Sequence, residues 1–359
     1  MSSVQPQATV RAAPVTDRAA AFRPALDGFD RNRPVLILSH NDADGLSAAA
    51  ILSRAVEGAG RQSRIRIVGR GESPWSQALR EEVQGARPGG LIVADLGIRE
   101  GAVAPGVPTI IVDHHIPTGV PGDALVISGY GQDPVPTSSL IAYRCAGDLG
   151  PADDLVWLAA LGIIGDMAEE SGFAELEEAR RRFGITNLRK AVSLLNAPRR
   201  AASGDAGPAL ALLLKSAGPK EVLSGVHPET ADLLAARDEV KAELERGKRV
   251  GPVVRGDVAL IRFDSPCQVH PLLAQTWRGR LPKLVVLAAN AGFRPGWVHF
   301  AARTSRDFDL VAFLAEHAPA GVDENYGSGH RAASGGALRP AAWNDFIRGL
   351  GFGPEQEIA

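Results

Sequence analysis

Cysteine is almost missing from this chain of 359 residues. It has two, Cys145 and Cys267, which is too few for a disulfide framework. No Cys-x-x-Cys occurs, so a zinc ribbon or a thioredoxin-type redox site is excluded. Lysine is scarce too, six residues against 33 arginines. Arginine suits two-bond contacts to phosphate, but a genome composition favouring Arg and Ala is the simpler explanation. No uninterrupted apolar run reaches the about 18 residues of a membrane-spanning helix. The start, Met-Ser-Ser-Val-Gln-Pro-Gln, has neither the basic nor the apolar region of a secretory signal. Large net charge is also lacking. At −2 the chain is no polycation, and a nucleic-acid partner would need a local basic face. A cytoplasmic protein with no membrane partner is expected. Its oligomeric state is open.

What is present is ample material for a core, 45% hydrophobic with 22% charged residues, at a length that implies two or three domains. Residues 1–30 are rich in Ala, Pro, Arg and Gln without a period and read as a flexible leader. The pattern then changes. Short apolar strands are expected at Pro34–Ser39, Arg64–Val68, Gly90–Ala94 and Thr109–Val112, with a helical stretch at Leu46–Val56. Strands alternating with helices indicate a parallel α/β sheet. Helices are expected at 137–149, with Thr137-Ser138-Ser139 as the cap, and at Leu155–Ile164. Residues 173–250 are mainly helical, and strands return at Val258–Phe263, Leu284–Leu287 and Val298–Ala301. The expected domains are therefore a catalytic domain at 31–195, a helical connector at 196–250 and a smaller α/β domain at 251–350.

Open parallel sheets bind ligands at the carboxyl ends of their strands, and the polar clusters of this sequence fall there. His40, Asp42 and Asp44 alternate in Ser39-His-Asn-Asp-Ala-Asp-Gly45. In an extended chain alternate side chains share a face, and Gly45 then allows a tight turn into the helix. Asp95 and Asp113 each close a strand, and His114 and His115 follow directly. A lone Asp after a strand is commonly a helix cap, but two adjacent His at a buried strand end are hard to place on a surface. Asp166 ends the apolar stretch Leu161–Gly165, where an unpartnered carboxylate is costly. Carboxylates gathered this closely repel unless a cation or a proton intervenes. Asp and His together suit Mn²⁺ or a similar borderline ion, with Mg²⁺ as the alternative. Four separated segments converging in this way imply a site for two divalent cations that activates water against phosphorus.

The order Asp42-Ala-Asp44-Gly45, Asp95, Asp113-His114-His115, Asp166 resembles the DHH phosphoesterase superfamily. Tyr326–Gly336 resembles the Gly-Gly-Gly-His-x-x-Ala-Ala-Gly signature of the DHH-associated C-terminal domain, and Ala302–Ser305 its Arg-Ser strand. The resemblance spans about residues 33–345. It implies an α/β fold with a parallel-sheet DHH domain, a helical connector and a smaller C-terminal α/β domain. It also implies roles: His40 and Asp42 on one metal, Asp44 and His114 on the other, Asp95 bridging, and Asp166 completing the shell. His115 would contact the scissile phosphate or a metal-bound water, and Asp113 would orient its His neighbours. Arg303 and His330 would hold the substrate's terminal phosphate or the strand next to it, and Gly327 and Gly329 would let backbone N–H groups approach that phosphate.

Two residues depart from RecJ-type exonucleases. His40 stands where those enzymes usually carry Asp, a His there being familiar instead from the small-substrate branch of nanoRNases and family II pyrophosphatases, and Ser328 interrupts the Gly triplet. The chain ends near 359, so the further nucleic-acid-binding domain of full RecJ proteins is not expected. The segment Asn187–Leu214 does look like the RecJ connector, and its Arg199 and Arg200 read as solvated charges or as a phosphate track. The expected activity is exonucleolytic hydrolysis of single-stranded nucleic acid or short oligonucleotides. A small-molecule phosphoesterase for cyclic dinucleotides or nucleoside bisphosphates is the alternative. A catalytically silent nucleic-acid-binding scaffold is a third reading, and the full ligand set weighs against it.

Overall fold

The computed structural model describes residues 19–119, 121–322, 326–327 and 329–358, with only the backbone of His330. It divides into two compact units. The first runs to Arg199 and includes Gly204–Leu234, and the second takes Arg200–Ser203 and continues from Ala235.

The first unit begins with helix α1 (Phe22–Asp27), then β1 (Val35–Ser39), α2 (Ala43–Gly58), β2 (Ser63–Ile67), α3 (Gln77–Ala86), β3 (Gly90–Ala94), β4 (Thr109–Asp113) and β5 (Ala124–Ser128). All five strands pair in parallel, in the order β2-β1-β3-β4-β5. Every residue of β3 and β4 is buried, as a sheet covered on both faces requires. Ile37, Ile92, Ile110 and Val112 face one core, shared with α2 and the helices that follow. Leu38, Leu91, Val93 and Ile111 face the other, shared with Leu79 and Val83 of α3. The chain order places β1 second, between β2 and β3, and reverses direction between β1 and β3. That reversal is the topological switch point where open α/β sheets bind ligands.

Helices α4 (Ser138–Leu149), α5 (Val156–Gly165), α6 (Ala174–Phe183), α7 (Ile185–Leu195), α8 (Gly207–Lys215) and α9 (Pro219–Ser224) complete this unit. The division between units falls inside α10 (Glu229–Lys248), so the helices expected as one connector are shared between the two.

The leader expected at 1–30 does not extend that far. Residues 1–18 lie outside the described residues, but Phe22, Leu26 and Phe29 are buried in the core of the first unit. Phe29 lies where a Cβ on Gly90 would be 2.1 Å from its ring, so the glycine that opens β3 leaves room for it.

The second unit holds β6 (Val253–Arg255), β7 (Val258–Phe263), α11 (His270–Arg280), β8 (Val285–Arg294), β9 (Trp297–Thr304), α12 (Leu310–Glu316), β10 (Gly329–His330), β11 (Ala333–Leu338) and α13 (Pro340–Gly349). Its sheet is mixed, ordered β10-β11-β9-β8-β7-β6, and only β7 and β8 pair in parallel. Phe300, Trp343 and Phe346 pack on one face, and Ile261, Ala288 and Leu273 on the other. The Gly-rich stretch after Gly327, which has little strand character of its own, closes this sheet as β10 and β11. Gly335 faces the backbone of Phe300 so closely that a Cβ would sit 2.5 Å from its carbonyl oxygen.

Candidate metal centre

The site residues of the first unit sit at the carboxyl ends of β1, β3 and β4. The backbone N–H of His40 donates to Ala94 O at 3.2 Å, which carries the β1–β3 pairing one step past the strands. Asp42 caps α2 and accepts from Gly45 N at 3.1 Å. The helix starts at Ala43, so the tight turn expected at Gly45 is a helical turn. Gly45 is required there because a Cβ would meet His40 Cβ at 2.7 Å.

That early helix start also separates the three alternating residues. His40 Nδ1 faces Asp42 Oδ2 at 3.1 Å and Asp95 Oδ2 at 3.5 Å. Asp44, on the first turn of α2, points elsewhere. Its two oxygens accept the backbone N–H groups of Ser138 and Ser139 at 2.8 and 2.9 Å. These are orphan donors at the N-terminus of α4, a natural seat for an anion. The single shared face expected for His40, Asp42 and Asp44 is not formed.

Two ligand groups result. His40, Asp42 and Asp95 place one donor atom each within 4.8 Å of one another, and so do Asp44, His114 and Asp166. Asp95 touches both: its Oδ2 faces His40, and its Oδ1 faces His114 Nε2 at 3.5 Å. Asp95 itself is left-handed, at φ 62°, a conformation Asp tolerates better than most residues. His114 Nε2 also meets Asp166 Oδ2 at 3.3 Å. Ser138 links the groups, since its N–H binds Asp44 and its Oγ donates to Asp95 Oδ1 at 2.9 Å. Gly162 of α5 makes room for them, because a Cβ there would lie 2.0 Å from Asp44 Oδ1.

Asp113 has a different task. It is fully buried and accepts from Gly97 N and His115 N, both at 2.7 Å. Its Oδ1 also meets His115 Nδ1 at 3.1 Å. A carboxylate on Nδ1 holds the ring and leaves Nε2 for other partners. His115 stays 53% exposed. Asp95, His114 and His115 form a third group of donor atoms within 4.8 Å.

The electrostatics of the two main groups differ. Burial disfavours the charged imidazole of His40, yet Asp42 and Asp95 outweigh it and push it up to about 10. Burial likewise opposes His114, and Asp95, Asp44 and Asp166 raise it to about 10. Against burial, His40 and then Arg199 hold the Asp42 carboxyl far below its usual range, and His114 and His40 hold Asp95 down. Asp44 goes the other way, raised by burial and then by Asp95 and Asp166. Burial, then Asp95 and Asp42, pushes Asp166 up to about 7. In the His40 group the imidazole and Arg199 together offset Asp42 and Asp95. The Asp44 group has too little positive charge, and a divalent cation would supply it. The donor set, four carboxylates and two imidazoles, suits such an ion.

Sequence reasoning did not find the partners that hold this centre. Asn196 Oδ1 accepts Ala43 N at 3.0 Å, and Arg199 Nη1 donates to Asp42 Oδ2 at 3.2 Å. Arg199 is thus no solvated charge. Thr137-Ser138-Ser139 was legible only as a helix cap. Thr137 does cap α4, but Ser138 and Ser139 bind the acidic cluster. Two apolar side chains directly follow site residues and are left in solvent: Ile116, 72% exposed, and Met167, 89% exposed.

In the second unit, Arg303 on β9 donates to Ala302 O at 2.8 Å and Ser334 O at 3.1 Å. Burial and then nearby Arg278 lower its pKa. Gly327, at φ 71°, donates its N–H to Gly335 O at 2.9 Å. Gly329 is paired with Ser334, and Ala333 with Arg303. These residues therefore gather on one end of the β9–β11 ribbon. The His330 side chain and Ser328 lie outside the described residues.

The first unit and its acid-imidazole cluster define a doubly wound α/β class with a polar centre at the switch point. More particularly, the two-unit chain has the DHH fold in its RecJ-like form. It is similar over 96% of its length to RecJ of Thermus thermophilus in complex with Mn²⁺, at 20% identity and a TM-score of 0.66. It spans 55% of that RecJ chain, little more than half. The DHH domain of a member of a ribosomal-protein family matches over 94% of this chain and 90% of its own, with 16% identity and a TM-score of 0.64. CDC45 of Entamoeba histolytica matches over 94% and 98%, with 9% identity and a TM-score of 0.56. No family model and no curated protein matches the sequence.

Proposed function

We propose that this protein is a metal-dependent phosphodiester hydrolase that removes nucleotides from single-stranded nucleic acid or short oligonucleotides. One observation carries the reading: two ligand groups meet at Asp95 on the switch point of a DHH-fold sheet. His40 and Asp42 would hold one divalent cation, Asp44, His114 and Asp166 the other, with Asp95 between them. When bound, such a pair lowers the pKa of water and stabilises charge developing on phosphorus. Mn²⁺ is the preferred ion and Mg²⁺ the alternative.

The remaining work falls to the protein. Asp113 fixes His115 through Nδ1 and raises its pKa, so that in the protonated ring Nε2–H can donate to the scissile phosphate. Arg303, Gly327, Gly329 and His330 form the recognition set for the terminal phosphate. Ile116 and Met167 offer apolar surface beside site residues, which favours a substrate carrying nucleobases.

The test is hydrolysis by the full chain with Mn²⁺ of a panel: single-stranded DNA labelled at either end, RNA of a few nucleotides, cyclic dinucleotides, a nucleoside bisphosphate and pyrophosphate. Cleavage of the oligonucleotides, abolished in Asp44→Ala and Asp113→Ala, is expected. Cleavage confined to a cyclic dinucleotide or a bisphosphate would replace this reading with the small-molecule one. A protein that takes up no Mn²⁺ would support the silent scaffold.

A further inference from the structure

The proposed centre has one basic neighbour that the ligand set does not explain. After α7 the chain makes a single turn, Pro198–Arg200, held against the start of α2 by the Asn196–Ala43 hydrogen bond of 3.0 Å. The turn is tied from its other side, where Arg70 Nη2 donates to Arg199 O at 3.1 Å. Arg199 is thereby placed on Asp42. Its Nη1 reaches Oδ2 at 3.2 Å, the oxygen that His40 Nδ1 also faces at 3.1 Å. The side chain is 22% exposed. Among the described residues, no other arginine or lysine pairs with a carboxylate of the cluster.

The way this guanidinium is bonded is informative. An arginine kept only to neutralise a carboxylate usually meets it as a two-bond fork. Arg199 makes one bond to Asp42, out of five N–H donors. Its Nε is buried with no hydrogen-bond partner among the described residues. An unmet buried donor is unfavourable and calls for an explanation, of which a role in the site is one.

Charge points to the ligand. Asp42, Asp44, Asp95 and Asp166 carry four negative charges when ionised, which two divalent cations cancel. An arriving phosphodiester adds one negative charge, and attack by hydroxide spreads another over the phosphoryl oxygens. Nothing in the ligand set balances that excess, and Arg199 does. We infer that Arg199 is a phosphate-binding residue of this centre, anchored on Asp42 by one N–H and offering its remaining Nη donors to a non-bridging oxygen of the substrate phosphate. The inference rests on the hydrolase reading above.

The test compares wild-type chain with Arg199→Ala and Arg199→Lys, each saturated with Mn²⁺. Three quantities are measured: Mn²⁺ affinity, the inhibition or binding constant of inorganic phosphate, and kcat and KM on a short oligonucleotide. Loss of one preorganised donor lowers kcat by about 100-fold, so Arg199→Ala should lose activity on that scale. It should bind phosphate at least ~10-fold more weakly, as expected for a lost charge-assisted hydrogen bond. Mn²⁺ affinity should stay within a few-fold. Arg199→Lys keeps the charge and should recover part of the phosphate binding, which also separates the effect from misfolding. Unchanged phosphate affinity in a Mn²⁺-loaded Arg199→Ala protein overturns the inference. Activity fully restored by excess Mn²⁺ also overturns it, because Arg199 would then only position Asp42. A wild-type protein that binds Mn²⁺ but cuts nothing refutes the hydrolase reading, and the phosphate-binding comparison still decides Arg199.

Discussion

The two units use polar residues in opposite ways. In the first, charged side chains converge on strand ends and are seated by backbone N–H groups: Asp44 by Ser138 and Ser139, Asp113 by Gly97 and His115. In the second, half of the expected phosphate set is glycine, Gly327 and Gly329, and the glycines of this stretch first serve the sheet. Gly335 packs on Phe300 and Gly329 on Ala333. The contrast follows from topology. A parallel sheet gathers all its carboxyl ends at one edge, where helix N-termini point at them. An antiparallel ribbon offers no such focus, but its glycines let backbone approach a ligand closely. Under the proposed function, chemistry falls to the first unit and recognition to the second.

Asp95→Ala should break that division most severely. It removes a member of the His40 group that also faces His114 of the other group, and activity should fall by about 1,000-fold or more, the scale of several kcal/mol of charge stabilisation. A variant within ten-fold of wild type would remove Asp95 from the centre.

Paired glycine substitutions sharpen the comparison. Gly162→Ala would place a Cβ 1.9 Å from Ser139 Oγ and 2.0 Å from Asp44 Oδ1. Gly335→Ala would place one 2.5 Å from Phe300 O. Each should lose about 1–3 kcal/mol of stability by denaturant unfolding. Only Gly162→Ala should also weaken Mn²⁺ binding, and equal effects of both on metal affinity would contradict the division. Ser138→Ala should act more mildly, lowering Mn²⁺ affinity about ten-fold through the lost hydrogen bond to Asp95.

The smallest effect concerns pH. His40 and His114 are raised from 6.5 to about 10 in the metal-free protein. Their folded values lie above their unfolded ones, so the stability they contribute is complete below pH 6.5 and is lost as pH rises to about 10. Asp166, raised to about 7, adds a loss of the same sign between its ordinary 3.8 and that value. Asp42 and Asp95 are held down, so they contribute fully throughout this range. Melting of chelator-treated protein should therefore move to lower temperature from pH 6.5 to 10. Mn²⁺ should reverse the trend, because it binds the neutral imidazoles and ionised carboxylates. A metal-free Tm that rises over this range would contradict the assignment.

Much of the first unit was legible because a doubly covered parallel sheet leaves contiguous apolar runs. Gly90–Ala94 is the strand the sequence implies, and Thr109–Asp113 gains one residue. The half-exposed strand Ala124–Ser128 left a weaker signal. The amphipathic helix Gln77–Ala86, with Leu79 and Val83 on its buried face, was not read. Phe22, Leu26 and Phe29 were hidden in a stretch whose overall composition resembles a tail, although their spacing of four and three residues fits one buried face. Glycines 335 and 336 masked a strand, since packing on Phe300 rather than propensity makes it. In the metal centre, residue identities were readable, but their grouping was not. Ser138 lies 94 residues from Asp44, and Arg199 lies 157 from Asp42. Such pairings are set by the crossing of helices, which no local period records.

The central claim is that two cation sites meet at Asp95. Titrating chelator-treated full chain with Mn²⁺ by calorimetry tests it directly. The expected result is two equivalents bound by the wild type, with both sites weakened in Asp95→Ala. A single equivalent, or an Asp95→Ala protein that binds two as tightly as wild type, would contradict it.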